Sequence, residues 1–129
     1  MSRVQKKLNK DGYKIVVYDS YRPQKAVNHF IRWANDTNDI KQKAKYYPYE
    51  DKSTLFDKGY IAKRSGHTRG STLDMSIIKI NSNLKPIDYK LRTLKNNQLV
   101  MILDDGTEDF GVSFDFFGEP SHPDSESID

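Results

Sequence analysis

The first part of the chain changes from helical to strand spacing of its hydrophobic residues. Val4 and Leu8 lie four residues apart among polar neighbours and Gly12 follows them, which predicts a short helix over residues 3–10 with a glycine stop. The β-branched and aromatic run KIVVYDS, residues 14–20, then has the length and composition of a strand. We therefore expect the fold to open with a helix followed by a strand.

A second helix is predicted directly after this strand. Pro23 holds the residue before it in extended geometry and is itself favoured at a first helical position. Four apolar residues then follow with the spacing of one helical face: Val27, Phe30, Ile31 and Ala34. We expect this helix to end near Asn35.

The middle of the chain carries few periodic signals before residue 72. Residues 36–64 are polar and aromatic, and they predict a long connection that is functional or contains short elements. The run TLDMSIIKI, residues 72–80, predicts a strand. Alternate residues of this strand share a face, with Leu73, Met75 and Ile77 on one side and Asp74, Ser76 and Ile78 on the other. If the Met75 face packs on the core, Asp74 points into a cleft.

A second pair of strands is predicted around residues 99–103 and 112–117. The last segment, residues 118–129, is polar and contains prolines, so we predict a flexible tail there. No repeat or domain boundary interrupts these elements. The pattern as a whole predicts one domain over residues 1–129 of the α+β class, with a small antiparallel sheet and helices packed on one side.

Composition limits the chemistry of this domain. Hydrophobic residues make up 36% of the chain and charged residues 30%, and no apolar run approaches the roughly 20 residues that span a bilayer. The chain has no cysteine, which excludes disulfides, thiolate catalysis and cysteine-ligated zinc. The first ten residues hold no apolar segment of a secretory signal. Cytoplasmic and periplasmic or secreted locations both remain open.

The net charge of +3 is unevenly distributed. Basic residues dominate up to about Lys95, whereas the stretch from Asp104 onward is acidic. The basic stretch Lys41–Lys45 precedes three tyrosines, an arrangement that can stack bases beside phosphate contacts. A solvated face that runs into an aromatic loop explains the same residues more simply. We therefore expect no nucleic-acid partner.

The most informative segment is SGHTRGSTLD, residues 65–74. His67 and Asp74 would lie about 23 Å apart along a straight strand. Gly66 and Gly70 allow the backbone to fold back between them. An imidazole nitrogen and a carboxylate oxygen are a normal partial zinc shell. From this spacing alone a structural His–Asp hydrogen bond is favoured over a metal site, and both interpretations stay open.

Two further residues are candidates for substrate chemistry. In DSYRP, residues 19–23, Arg22 is held extended beside a predicted helix N-terminus, where a guanidinium can stabilise an oxyanion. A surface arginine at a turn is the alternative. In GVSFDFF, residues 111–117, Asp115 lies on the face opposite its phenylalanine neighbours and is able to receive a cationic amine. A plain edge-strand aspartate fits the local sequence equally well.

Taken in order, these segments resemble the D-alanyl-D-alanine dipeptidases of the vancomycin-resistance type, within the wider family of zinc D,D-peptidases. The resemblance runs from Val16 to about His122. It rests on the strand GYKIVV followed by three motifs: YDSYRP, KGYIAKRSGHTRGSTLD and FGVSFDFFGEPSH. The SxHxxGxxxD pattern is typical of the superfamily, and the first and last motifs narrow the resemblance to the dipeptidase branch.

The resemblance implies a zinc D,D-peptidase-like fold and zinc-dependent hydrolysis of the D-Ala-D-Ala dipeptide in cell-wall peptide metabolism. His67 and Asp74 match two of the family's three protein ligands to Zn²⁺. Arg22 matches the arginine that stabilises the tetrahedral transition state. Three more positions match residues that line the dipeptide pocket, the last of them near the free amine of the substrate: Tyr60, Ser65 and Asp115.

One part of the family's pattern is missing from these residues. The family's general-base glutamate and third histidine ligand lie together in a Glu-aromatic-aromatic-His motif, which does not occur here. Glu119 and His122 have an ExxH spacing, but their segment already matches another part of the family. We therefore expect an incomplete family member, truncated at both ends and without measurable activity by itself. The alternative is a non-catalytic remnant of the same fold that binds the dipeptide or peptidoglycan.

Overall fold

The computed structural model describes residues 2–128. Helix α1 spans Ser2–Lys10 and strand β1 spans Tyr13–Asp19, as the spacing of the hydrophobic residues predicts. Helix α2 spans Gln24–Asn35, and Pro23 lies immediately before it in extended conformation. Over the described range, no helix is both long enough and apolar enough to cross a bilayer.

The strands form two antiparallel sheets of two strands each. Strand β2 (Asp74–Lys79) pairs with β1, and strand β3 (Asp88–Thr93) pairs with β4 (Leu99–Asp104). Helix α1 packs beside β1, where the side-chain oxygen of Gln5 accepts a hydrogen bond from the backbone N–H of Ile15 at 2.9 Å. The predicted combination of helices with small antiparallel sheets is confirmed, and the strands are divided between two sheets.

The partner of β4 is not the predicted one. Residues 112–117 form no strand, and β3 takes their place in the pair. Gly111 and Asp115 have φ angles of 98° and 59°, and this left-handed geometry does not belong to an extended strand. The segment turns instead, and it buries Phe116 to 4% exposure. The predicted strand at 112–117 is therefore wrong.

The buried face of β2 is the face that carries Asp74. Ser76 and Ile78 are 7% and 1% exposed, whereas Met75 on the opposite face is 49% exposed. The condition under which Asp74 would point into a cleft, that the Met75 face packs on the core, is therefore not met. Asp74 begins the strand at the edge of the buried face, partly covered, where a carboxylate is shielded from solvent but remains reachable.

The long connection over residues 36–64 contains helix α3 (Lys43–Tyr46) and anchors α2 through Lys52. The Lys52 ammonium is buried and donates to the carbonyl oxygens of Trp33 and Asp36 at 2.9 and 2.8 Å. It also lies 4.0 Å from the centroid of the Trp33 ring. A positive charge at this end of α2 offsets the negative end of the helix dipole, so the connection and α2 are held together.

The segment predicted to be a flexible tail makes core contacts as far as residue 128. Ile128 packs against the buried cluster of Leu94, Val100 and Phe116. Ser127 is buried, and its hydroxyl donates to a carboxylate oxygen of Glu119 at 2.7 Å. These contacts join the end of the described chain to the β3–β4 hairpin.

Candidate metal and substrate site

A tight turn presents His67. The turn is a short 3₁₀ helix, His67–Arg69, and it ends at Gly70, whose φ of 66° is the left-handed geometry that glycine favours. The hydroxyl oxygen of Ser65 accepts a hydrogen bond from the His67 backbone N–H at 3.1 Å. A Cβ at Gly66 would lie 2.1 Å from a threonine hydroxyl oxygen of the returning chain. The two glycines thus let the chain fold back toward β2.

The segment after β1 fixes the orientation of the His67 ring. Nδ1 of His67 lies 2.7 Å from the carbonyl oxygen of Ser20, and the backbone N–H of Arg22 donates to the His67 carbonyl oxygen at 3.3 Å. A carbonyl oxygen only accepts hydrogen bonds, so Nδ1 carries a proton. In the neutral ring, Nε2 then presents a lone pair.

The lone pair of Nε2 faces a carboxylate. Nε2 of His67 lies 3.2 Å from Oδ2 of Asp74. In the neutral ring both atoms are acceptors, so the contact needs a proton or a cation between them. Two ligand atoms at 2.0–2.1 Å from a tetrahedral zinc ion lie roughly 3.3 Å apart. The donor types and their spacing therefore fit zinc, and they also fit a hydrogen-bonded pair.

Asp19 is a third metal-capable side chain, which the sequence interpretation missed. Asp19, His67 and Asp74 each offer a ligand atom, and these atoms all lie within 4.8 Å of one another. Strand pairing places Asp19 opposite Asp74, just after an irregularity in the register of β1. Like charges that face each other across a sheet destabilise it, so this pair requires a positive charge nearby. The local signal was the aspartate of YDSYRP, but only strand pairing shows what it faces.

Arg22 supplies one such charge. Its Nε and Nη2 atoms donate to Oδ2 of Asp19 at 3.0 and 2.5 Å, and Nη2 lies 4.0 Å from Oδ2 of Asp74. The hydrogen bond from Arg22 holds the pKa of Asp19 below its ordinary value. A guanidinium has five N–H donors, so anchoring by Asp19 leaves others available beside the His67–Asp74 pair.

Asp115 lies in a loop whose electrostatic neighbours are these same groups. Burial is the largest influence on the pKa of Asp115 and raises it. The charge of Asp74 raises it further, while Arg22 and His67 lower it. The side chain keeps an exposed surface, yet the surrounding protein removes enough water to raise the pKa of Asp115 above its ordinary value. Its left-handed φ of 59° is uncommon outside glycine and marks a conformation that the surrounding fold enforces.

Tyr60 lies apart from the cluster. Its hydroxyl is 2.9 Å from Nε2 of His122, and its ring stacks on Phe117 with the centroids 5.6 Å apart. Burial raises the pKa of Tyr60. Within residues 2–128, no hydrogen bond joins Tyr60 to His67. The structure therefore brings Ser65 and Arg22 to the His67 site, whereas Tyr60 packs on Phe117 and His122.

Glu119 and His122 stand outside the metal-capable cluster that the described chain contains. A carboxylate oxygen of Glu119 accepts the Ser127 hydroxyl hydrogen bond, which lowers the pKa of Glu119. His122 contacts Tyr60 instead. Glu119 and His122 therefore contribute to the packing of the last segment.

Comparison with known proteins gives one family and three relatives. A family model described as D-Ala-D-Ala dipeptidase matches residues 1–91. A D-alanyl-D-alanine dipeptidase of Enterococcus faecalis is 37% identical over 117 residues, which cover 91% of this chain and 47% of that protein. One from Enterococcus faecium is 35% identical over 111 residues, covering 86% and 44%. One from Streptomyces coelicolor is 38% identical over 82 residues, covering 64% and 41%.

The region of the family match contains the clustered side chains. Residues 1–91 include Asp19 and Asp74 on the paired strands, His67 on the turn, and Arg22 in the segment after β1. The chain spans less than half the length of each of these three relatives. Because the family model matches well over half of the sequence, the chain belongs to the D-Ala-D-Ala dipeptidase family of peptidases.

Proposed function

We propose that this chain forms the zinc-binding part of a dipeptidase that hydrolyses the peptide bond of D-Ala-D-Ala. The observation that carries the proposal is the His67–Asp74 pair, with Nε2 and Oδ2 3.2 Å apart and the imidazole fixed by the Ser20 carbonyl. His67 and Asp74 would hold the ion, which when bound supplies an activated water and polarises the scissile carbonyl. The names of the relatives support the substrate.

Arg22 stabilises the oxyanion in this proposal. Two of its nitrogens are engaged by Asp19, which fixes the direction of the guanidinium before substrate arrives. A donor that is already oriented costs no reorganisation when negative charge develops on the carbonyl oxygen. Loss of one such donor typically costs about 2.7–4 kcal/mol of transition-state stabilisation.

Asp115 receives the free amine of the dipeptide. Its carboxylate is partly desolvated and lies in the field of Asp74, so a bound ammonium relieves an unfavourable charge. Recognition of an ammonium at this point favours a substrate with a free N-terminus close to the scissile bond. The class of substrate is therefore a short peptide, of which D-Ala-D-Ala is the proposed member.

A non-catalytic dipeptide-binding role is the second candidate. It is favoured by the position of Glu119, whose carboxylate is held by Ser127 and not by the cluster. In that case Asp115 and the His67 site would bind the dipeptide without cleaving it. Binding and turnover must therefore be measured separately.

The test is to titrate the zinc-loaded protein with D-Ala-D-Ala by calorimetry and to assay release of free D-alanine. The dipeptidase proposal expects binding by this chain, and turnover once the chain is completed with a Glu-aromatic-aromatic-His segment; Arg22→Ala should reduce that turnover roughly 100-fold or more. Arg32→Ala, an exposed arginine of α2, is the matched control and should behave as the parent. Binding without turnover would support the second candidate, and absence of both would refute the two proposals together.

A further inference from the structure

The outer edges of β1 and β2 are both covered by other parts of the chain. On β1, the backbone N–H of Ile15 donates to Oε1 of Gln5 in α1 at 2.9 Å. On β2, the carbonyl oxygen of Ile77 accepts a hydrogen bond from the backbone N–H of Glu108 at 2.8 Å. An uncovered edge exposes a row of unpaired N–H and C=O groups on which another strand can pair, so proteins usually protect it.

The outer edge of β4 is covered as well. The Tyr49 hydroxyl oxygen accepts a hydrogen bond from the backbone N–H of Leu99 at 2.8 Å. The Ser113 hydroxyl oxygen accepts one from the backbone N–H of Leu103 at 2.7 Å. These contacts show that the odd-numbered residues of β4 point their backbone groups away from β3. In an antiparallel pair, the residues directly opposite them then point their own backbone groups out of the pair on the other side.

The edge of β3 is the exception in the described chain. Tyr89, Leu91 and Thr93 lie opposite the outward-pointing residues of β4, so their backbone N–H and C=O groups point away from β4. Within residues 2–128, no hydrogen bond reaches these outward backbone groups. The side chains of Tyr89 and Leu91 are 52% and 67% exposed. Strand β3 therefore presents an open edge with apolar side chains beside it.

The sequence of β3 is complementary to itself in the antiparallel orientation. Pairing of two copies with Lys90 at the centre places Asp88 opposite Arg92 of the partner subunit, once at each end. The same register places Tyr89 opposite Leu91 of the partner subunit, also twice. A register centred on Leu91 would place Lys90 opposite Arg92 of the partner subunit, and like charges directly opposite each other are destabilising. Charge therefore selects the register centred on Lys90.

The charged side chains of β3 are compatible with this register. Nζ of Lys90 lies 2.5 Å from Oδ2 of Asp104, so each of the two central lysines brings its own counter-ion. The side chain of Asp88 is 62% exposed and can reach across the edge. Arg92 donates to the carboxylate of Asp109, and a guanidinium with five N–H donors has others left for a second carboxylate.

We propose that the outer edge of β3 is the surface through which two copies of this chain form a symmetric dimer, with their β3 strands antiparallel and centred on Lys90. The two hairpins then join into one four-stranded sheet. A two-stranded hairpin is marginally stable by itself, and further strands stabilise it. Because each copy uses the same edge, the contact is closed at two subunits. This inference is independent of the proposed hydrolysis, since the clustered side chains of that site lie outside β3.

The test measures the dissociation constant of the dimer by sedimentation equilibrium on the whole 129-residue chain. Asp88→Lys places like charges opposite each other at both ends of the contact and should raise the dissociation constant roughly tenfold or more. Asp57→Lys makes the same change in net charge at another exposed aspartate and should keep the parent's value. Circular dichroism checks that both variants fold.

Two further variants test the strand pairing itself. Arg92→Glu should also weaken the dimer, because it places a glutamate opposite Asp88 of the partner subunit. An equimolar mixture of the Asp88→Lys and Arg92→Glu chains has opposite charges at both ends and should form a mixed dimer close to the parent's affinity. Leu91→Pro removes an outward N–H that the β3–β4 pair does not use, so it should shift the protein toward monomer while the hairpin is kept.

Each outcome decides the proposal. A concentration-dependent dimer that is weakened by Asp88→Lys and by Leu91→Pro, and recovered in the mixture, supports it. A protein that stays monomeric up to about 1 mM, the dissociation constant of a weak complex, would overturn it. A dimer that resists both substitutions associates through another surface, which rejects β3 as the contact. Weakening without recovery in the mixture would reject the register centred on Lys90 and with it the proposed dimer.

Discussion

Asp19 and Asp74 lie opposite each other across β1 and β2, and the Nη2 atom of Arg22 lies 2.5 Å from the first carboxylate and 4.0 Å from the second. Their side chains are less than one third exposed, so water screens the two negative charges only in part. Arg22 therefore has a structural task in addition to its proposed role with substrate. Substitution of Arg22 should therefore change the free energy of unfolding as well as the activity.

Arg22→Ala should lower the free energy of unfolding by about 1–2 kcal/mol, because two facing carboxylates lose their counter-ion while keeping some solvent. The measurement is urea unfolding at neutral pH. Adding Asp19→Asn to the Arg22→Ala variant removes one of the facing charges and should recover part of the lost free energy of unfolding. Arg32→Ala provides the baseline for an exposed arginine. If Arg22→Ala and Arg32→Ala unfold at the same urea concentration, Arg22 does not stabilise the strand pair.

Zinc should raise the melting temperature of the protein through His67 and Asp74. An ion that binds only the folded state stabilises it by about 2.7 kcal/mol when its concentration is 100 times the dissociation constant. His67→Ala and Asp74→Ala should each abolish the shift, whereas Asp57→Ala, an exposed aspartate, should retain it. Asp19→Asn shows whether a third carboxylate takes part. A zinc-induced shift that survives in His67→Ala would place the ion elsewhere.

Asp115→Asn should stabilise the protein at neutral pH. Burial, followed by the charge of Asp74, raises the pKa of Asp115 in the folded state above its unfolded value. Between these two pKa values the folded state binds more protons, so the free energy of unfolding falls as pH rises through this range. The gain in the variant should disappear when pH falls below about 3.9, the ordinary pKa of an aspartate.

Thermal unfolding of the parent and Asp115→Asn across this pH range measures the effect. Asparagine tolerates the left-handed φ of this position, so backbone strain does not confuse the comparison. Asp57→Asn is the exposed control. A variant less stable than the parent at neutral pH would contradict the raised pKa. The same substitution should weaken D-Ala-D-Ala binding, which makes Asp115 a position where stability is lost in favour of recognition.

Gly66→Ala should disturb the turn that presents His67. The added Cβ would lie 2.1 Å from Oγ1 of Thr72 and 3.2 Å from its Cβ, so the turn must shift, at a cost of about 1–3 kcal/mol. Zinc affinity should fall with it. Removing the hydroxyl in a Gly66→Ala, Thr72→Ala double variant should restore much of both. Unchanged zinc affinity in Gly66→Ala would show that the turn adapts without moving the histidine.

Gly70→Ala gives the matched comparison for that experiment. A Cβ there meets no atom within 4 Å, but the φ of 66° is unfavourable for alanine. Its cost should therefore be backbone strain of about 1 kcal/mol without displacement of His67.

The helices and strands with a clear hydrophobic period were predictable from sequence, whereas strand pairing was not. Apolar residues repeat with helical spacing in α1 and α2, and β4 is a short apolar run. These three elements could therefore be predicted from their own residues. Strand β3 reads DYKLRT, which is mostly polar and largely exposed, and it gives no such signal. Residues 112–117 alternate like a strand, but positive φ angles at Asp115 and at Gly111 just before the segment bend the chain.

The candidate site was predictable only where its chemistry is local. His67, Asp74, Ser65 and Arg22 stand in short motifs, and the structure brings them together. Asp19 joins them because β1 and β2 pair across more than fifty intervening residues, which no local pattern encodes. Tyr60 matches the family's motif, but its packing on Phe117 and His122 depends on the distant last segment.

Because Lys52 is buried against α2, chemical labelling of its amine reports when α2 separates from the connection. Lys52 is 5% exposed and its ammonium donates to two carbonyl oxygens, whereas Lys25 in α2 and Lys41 in the connection are exposed. An acylating reagent reaches an amine only when it is uncovered, so Lys52 reacts only after α2 separates from the connection, and at high reagent concentration it reacts at the rate of that separation. Mass spectrometry of the modified lysines therefore times this local separation. Because Lys52 packs on the Trp33 ring, the same separation would loosen the contacts of Trp33 with Phe30 and Tyr47, so labelling of Lys52 also reports the opening of this aromatic cluster.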